Sequence, residues 1–257
     1  MKKIVSVIML AASLGSFLFA ETAEEIVNKA RTKSSVDSVA TRSKMEIQKG
    51  GTTINILVID QFSSKDDKGL QRTFIGFREP ANVKGTRFLM LEKAGGAMDQ
   101  RIFLPAAGKV RRIAAESTGN ESFMGTDFSY NDVSFMERKT SLDTYTILRE
   151  EELDGKTCFV IEAVPKDKKY SYSKVIMWIE KENNILLKAE FYDSKDRIEK
   201  LMELSDYKDV AGILTPHTTK LSTVKVNTST IIHIEKIQYG TKIPEKVFTQ
   251  KYLETGK

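Results

Sequence analysis

"KVIMWIEKENNILLKAEFYD" (residues 174–193) holds two short β-rich runs around a Glu-Asn-Asn turn. The asparagines tolerate left-handed backbone, so the two runs form an antiparallel pair. In the first run Val175, Met177 and Ile179 face one way while Ile176 and Trp178 face the other. An antiparallel sheet with one wet face would alternate apolar and polar residues. "TRFLMLEKA" (residues 86–94) repeats the pattern, with Phe88 and Met90 opposed to Leu89 and Leu91. Such strands ask for apolar cover on both sides. Sheet-on-sheet packing would supply it, and so would a cavity that receives an apolar ligand.

The same grammar extends outward along the chain. Further β-rich runs cover residues 38–48, 52–63, 70–79, 99–104, 110–114, 144–153, 156–165, 198–208 and 214–237, broken by Gly, Asp and Asn. Asp154-Gly155 is a two-residue hairpin signal. Helical periodicity is confined to residues 22–34, where Thr22-Ala-Glu-Glu25 reads as a capping box ahead of Ile26, Val27 and Ala30. Short connections predict a mostly antiparallel sheet. No Pro/Gly/Ser-rich linker or internal repeat divides the chain, so residues 21–257 are expected to form a single domain.

Residues 1–20 read as a signal peptide: Lys2 and Lys3 precede an apolar run ending at small Ala20. Export to the periplasm with cleavage of this segment is the expectation. Cys158 is the sole cysteine, so no intramolecular disulfide can form and a buried thiol is its expected role. The formal net charge of +5 is too mild and too dispersed to predict a nucleic-acid partner.

Catalytic and metal constellations are sparse. His217 and His233 lie outside any HExxH pattern, and no GxSxG elbow, P-loop or GxGxxG occurs. Asp127 and Asp132 lack the ligand alternation of a calcium loop. The chain is therefore expected to be no enzyme and to use no metal or cofactor. The basic run "PKDKKYSYSK" (residues 165–174) reads as a solvated hairpin tip.

One stretch resists this description. "ESFMGTDFSYND" (residues 121–132) has loop-forming Gly, Asp and Asn, yet carries Phe123, Met124, Phe128 and Tyr130. Together with "RIFLPAAGKVRRI" (residues 101–113) before it, it resembles the signature of the LolA-like outer-membrane lipoprotein-sorting family. "REPANVKGTRFL" (78–89), "CFVIEAVPKD" (158–167), "KVIMWIEKENNILLKAEFYD" and "IPEKVFTQKYL" (243–253) extend the resemblance in order over almost the whole mature chain. Two departures stand out. Arg101, Ile102 and Phe103 replace a usual aromatic pair such as Trp-Leu-Tyr, and Asn131 stands where an acidic residue is usual. Both are expected to alter the mouth of any cavity.

The resemblance implies an α+β fold: a strongly curved antiparallel sheet forming an incomplete, half-open β-barrel, with helices plugging its open side around an apolar cavity. It also implies a periplasmic carrier of lipoprotein or lipid acyl chains, served by an inner-membrane transporter and an outer-membrane acceptor. An envelope sensor on the same fold is the alternative. Phe74, Phe88, Met90, Phe103, Met177 and Phe191 are expected to line the cavity. Phe123, Met124, Phe128 and Tyr130 are expected at its lid or mouth. Arg111 and Arg112 stand beside that mouth in sequence, and strand alternation sends them to opposite faces.

Overall fold

The computed structural model describes residues 21–33, 36–114 and 120–257. The expected signal peptide, residues 1–20, lies outside them. One helix, α1 (Ala23–Lys33), precedes β1 (Ser38–Lys49), β2 (Thr52–Lys65), β3 (Gln71–Glu79), β4 (Arg87–Glu92), β5 (Met98–Leu104) and β6 (Lys109–Ile113). After an irregular segment come β7 (Asp143–Leu153), β8 (Lys156–Pro165), β9 (Lys174–Glu180), β10 (Leu186–Tyr192), β11 (Ile198–Val210), β12 (Ile213–Thr223) and β13 (Thr228–Tyr239), then a short helix α2 (Gln250–Thr255). The described strands make one antiparallel sheet in the order β6-β5-β4-β3-β2-β1-β13-β12-β11-β10-β9-β8-β7. β1 pairs with β13, which joins the two halves and leaves β6 and β7 as edges.

The run expected over residues 214–237 is two strands, not one. Val224–Val226 form a 3-10 turn closed by Asn227, whose φ of 53° is left-handed. Asn tolerates that conformation because its short amide bonds locally, while the valines on either side mask the turn in a propensity reading. At the expected hairpin, Asp154 and Gly155 both take positive φ, 50° and 75°, as a tight turn with the native strand twist requires.

Side-chain contacts demonstrate the curvature. Phe77 and Phe88 from β3 and β4 share one buried cluster with Ile161, Met177 and Phe191 from β8, β9 and β10. β4 and β9 stand eight strand steps apart, which in a flat sheet would separate them by ~38 Å at ~4.8 Å per step. Only a sheet curled toward closure brings them into one core. α1 lies against this inner face through Ile26 and Val27, both essentially inaccessible. Its first turn carries the expected cap, with the Glu25 carboxylate accepting from Thr22 N–H at 2.8 Å and the Thr22 hydroxyl accepting from Glu25 N–H at 3.3 Å.

The second apolar face of the strands is covered by the chain itself. On β3–β5, Phe74 and Leu89 pack beneath Val247, Phe248 and Leu253 of the C-terminal segment. Arg87 fastens that segment by donating to the carbonyls of Leu253 and Glu254 at 2.6 Å each, with its guanidinium 4.4 Å from the Phe103 ring. On β8–β10, Cys158, Val160, Ile176 and Trp178 form a third cluster. The Lys188 ammonium lies over the Trp178 ring at 4.2 Å and pairs with Glu190 at 2.7 Å. Cys158 is buried, and burial pushes its thiol pKa up. Doubly apolar strands here need no ligand on their outer face.

Candidate functional site

The interior of the half-barrel has two ends, and they are built differently. One end is filled by residues 121–137. Phe123 is 2% exposed, with its ring 5.1 Å from Phe88, 5.6 Å from Phe77 and 5.5 Å from Tyr130. Phe128 and Tyr130 are buried in the same cluster, and Met124 packs against it. Farther along, Phe135 meets the Phe191 ring at 4.8 Å.

A polar frame fixes this segment. The Asp127 carboxylate accepts from the hydroxyls of Thr223 at 2.7 Å, Thr228 at 2.5 Å and Thr230 at 2.9 Å. Lys200 Nζ donates to the Asp127 carbonyl at 2.8 Å and pairs with Asp132, which also accepts from Tyr172 OH at 2.6 Å. Buried polar groups are tolerable only when satisfied. Here an irregular segment that makes no sheet ladder gains its partners from side chains. Both aspartates are engaged by protein donors, and no cluster of His, Cys, Asp or Glu among the described residues is arranged to hold a metal.

The two arginines separate as alternation requires. Arg111 shares the inner side with the filling segment, bonding Glu121 at 3.1 Å beside Tyr130. Burial pushes the Tyr130 phenol pKa up against the opposing pull of Arg111. Arg112 faces outward, 3.3 Å from Asp99.

The opposite end holds a cavity of about 660 Å³, within the roughly 300–1,000 Å³ of small-ligand sites. It lies between α1, residues 138–141 and the inner face of the sheet. Ile185, Leu186, Leu204, Leu214 and Pro216 give it an apolar wall on the β10–β12 side. Gln61, Ser63, Lys65 and Gln71 give it a polar wall on the β2–β3 side. Val39 of β1 borders this end and Ile47 of the same strand reaches the filled end, and these two residues lie about 26 Å apart at ~3.3 Å per residue.

A break in the sheet accompanies the cavity. Pairing of β12 with β13 runs from Thr223↔Thr228 to Thr218↔His233 and stops short of Pro216. Proline supplies no N–H to a ladder and favours such interruptions. Tyr239 OH and the Thr215 hydroxyl span the gap at 2.7 Å. Tyr207 donates to the Leu186 carbonyl, and burial raises its phenol pKa. Above the cavity, Thr140 bonds Asn28 of α1 at 2.8 Å and Arg31 donates to the Arg138 carbonyl. Lys139 pairs with Glu92 at 2.7 Å, and Arg138 grips Asp143 at 2.8 Å.

None of the residues expected to line the cavity borders this one. Phe88, Met90, Met177 and Phe191 sit on the expected inner face but are packed solid, each under 5% exposed. Phe74 and Phe103 instead face outward into the C-terminal cluster, because their strand positions alternate against Ile75, Phe77 and Ile102. Of the departure at residues 101–103, Arg101 and Phe103 fall on that same outer contact, Arg101 bonding Asp99 and Gln250 at 2.8 and 2.6 Å, while Ile102 is buried in the inner cluster. The cavity-lining leucines escaped sequence reading because Leu186 and Leu204 look like ordinary buried strand residues and Leu214 is only half-buried. Pro216 inside a β-rich run was the available signal.

A family model described as "Uncharacterized protein" matches residues 69–255. A comparison with curated proteins finds no match. Among solved structures, the chain is similar to a DUF1329 family protein from Desulfovibrio piger, at 25% identity over 90% of this chain and 97% of that one, with a TM-score of 0.84. It is similar to a protein from Vibrio parahaemolyticus described as a candidate outer membrane lipoprotein-sorting protein domain, at 26% identity over 90% and 98%, with a TM-score of 0.82. A LolA superfamily protein from Nitrosomonas europaea shares the fold at 20% identity over 91% and 100%, TM-score 0.73. None of these three is described as an enzyme. With the model match spanning most of its length, the chain belongs to the family that this model describes, and it shares its fold with the lipoprotein-sorting and LolA superfamily structures to which it is similar.

Proposed function

We propose that residues 21–257 act as a single-domain periplasmic carrier. It takes the acyl chain of a lipoprotein or lipid into the cavity beneath α1 and moves it toward the outer membrane. The observation that carries this reading is the cavity of about 660 Å³ with its apolar β10–β12 wall. Each methylene withdrawn from water there contributes roughly 0.8 kcal/mol, so one long chain drives binding without a catalytic group.

Release is the harder requirement. Met90 and Met177 lie on the packed inner face behind the cavity, and their flexible side chains can repack around longer chains and close after them. Phe88 and Phe191 form the fixed part of that floor, while Phe123, Met124, Phe128 and Tyr130 close the far end. An inner-membrane donor and an outer-membrane acceptor are the partners this role requires.

The test is purification of the mature chain from its native envelope under mild conditions, followed by native mass spectrometry and lipid extraction. Co-purifying lipid, or stoichiometric uptake of a labelled acyl chain, is expected. Absence of both would end the carrier reading.

A further inference from the structure

Turn tips are usually polar, yet two neighbouring tips at the filled end of the half-barrel carry branched aliphatic side chains. The β12–β13 turn reads Val224-Lys225-Val226-Asn227, and its valines are 52% and 55% exposed. The β1–β2 hairpin turns at Gly50-Gly51 and presents Ile54 and Ile56, 61% and 41% exposed. Gly50 N–H donates to the Asn227 carbonyl at 3.0 Å, and Lys49 stands opposite Thr228 across β1 and β13, so the tips adjoin. The valine turn is also held from beneath. The buried Asp127 carboxylate accepts from the hydroxyls of Thr223 and Thr228, one on each flank. A clamp on both sides fixes the turn with its valines outward.

Charge selects among the partners such a surface could take. Residues 49–56 and 223–228 hold Lys49 and Lys225 and no carboxylate. Both lysines are exposed, and neither enters an ion pair among the described residues. In the β10–β11 turn beside them, Asp193 and Asp196 are already paired, with Arg197 at 2.6 Å and Lys174 at 2.5 Å. A second copy of this chain would bring lysine against lysine. An added strand is opposed as well. Pairing of β2 with β3 starts only at Val58, which leaves residues 52–57 an open edge. Ile54 is a bulge on that edge, skipped between Ile47↔Asn55 and Gln48↔Thr53, and bulges blunt an edge against further pairing. Branched aliphatics beside lysines suit the boundary of an anionic bilayer, where apolar groups enter the acyl region and ammoniums meet phosphates.

We infer that these two tips dock the protein on an anionic membrane surface. Val224, Val226 and Ile54 enter the interface, and Lys49 and Lys225 meet lipid phosphates. The inference goes beyond the carrier reading, because the cavity beneath α1 lies at the other end and takes no part in the contact.

The test is sedimentation of the mature chain with sucrose-loaded vesicles of phosphatidylcholine, with and without about one third phosphatidylglycerol. Partition onto the anionic vesicles should be at least about fivefold stronger, with the difference narrowing as salt is raised. Val224→Ser/Val226→Ser should weaken it about tenfold. Lys49→Gln/Lys225→Gln should bring it down to the phosphatidylcholine level. Melting temperatures should hold in both, since all four side chains are exposed. An environment-sensitive dye separates docking from uptake of a vesicle lipid. Attached at Thr52→Cys it should shift to the blue on anionic vesicles. Attached at Lys68→Cys, in the β2–β3 turn near the cavity, it should not; Cys158 is buried and leaves the new thiol as the accessible one. No binding to anionic vesicles, binding untouched by either double variant, or a dye shift at residue 68 in place of residue 52 overturns the inference. A wild-type dimer that Val224→Ser/Val226→Ser loses, without vesicle binding, overturns it in favour of a second copy.

Discussion

Lys200 and Asp132 show how one residue pair governs the filled end of the half-barrel. Their side chains are 9% and 2% exposed, so neither charge has water to fall back on. Lys200→Met leaves the Asp132 carboxylate buried with hydrogen bonds but no cation, and should lower the unfolding free energy by about 3–5 kcal/mol. Lys166→Met, which removes only an exposed bond to the Ser141 carbonyl, should stay within about 0.5 kcal/mol. Urea titration of both variants checks the contrast. Tyr170 adds a pH signature. Burial raises its phenol pKa from 10.0 to about 12, against the opposing pull of Arg138 4.0 Å from its ring. A raised folded-state value means the contribution is intact below the ordinary tyrosine value and is lost between pH 10 and about 12, as the unfolded chain ionises first. Stability should therefore fall across that alkaline window, and Tyr170→Phe should flatten the fall. Denaturant melts from pH 9 to 12 measure both.

At the scale of elements, most strands were legible because each is a β-rich run ended by Gly, Asp or Asn. The exception at residues 224–227 is instructive, since two valines advertise a strand and only the left-handed Asn227 gives the turn away. The doubly apolar runs were legible as well, but not what covers them. Phe74 and Leu89 wait for Phe248 and Leu253, more than 150 residues downstream, and no local pattern announces a contact of that range. α2 is short and isolated helices of its length are marginal, so its order depends on this docking. Deleting residues 250–257 should strip the cover from Phe74 and Leu89, raise binding of an apolar dye and lower the melting temperature. Unchanged dye binding would mean the outer cluster is sealed by residues 243–249 alone.

For the whole molecule, the two ends divide the work: one is closed by aromatics on a polar frame, and the other stays open beneath α1. The sequence pointed to the aromatics of residues 123–130, since large apolar groups in a loop are conspicuous. It hid the leucines of the cavity, which are ordinary residues made special only by the parting of β12 from β13. Stability and uptake should accordingly separate. Phe123→Ala deletes a ring that is 2% exposed among Phe77, Phe88 and Tyr130, and should cost about 3–5 kcal/mol. The fraction that remains folded should still take up lipid, because Phe123 does not border the cavity. Leu214→Gln does the reverse: the side chain is only half-buried, so the melting point should move little, while a polar group on the apolar wall should weaken acyl-chain affinity by roughly tenfold. Thermal melts and labelled-lipid titrations on both variants decide the matter. If Phe123→Ala abolishes uptake by protein that is still folded, the filled end is a gate after all and the cavity beneath α1 is not where the chain enters.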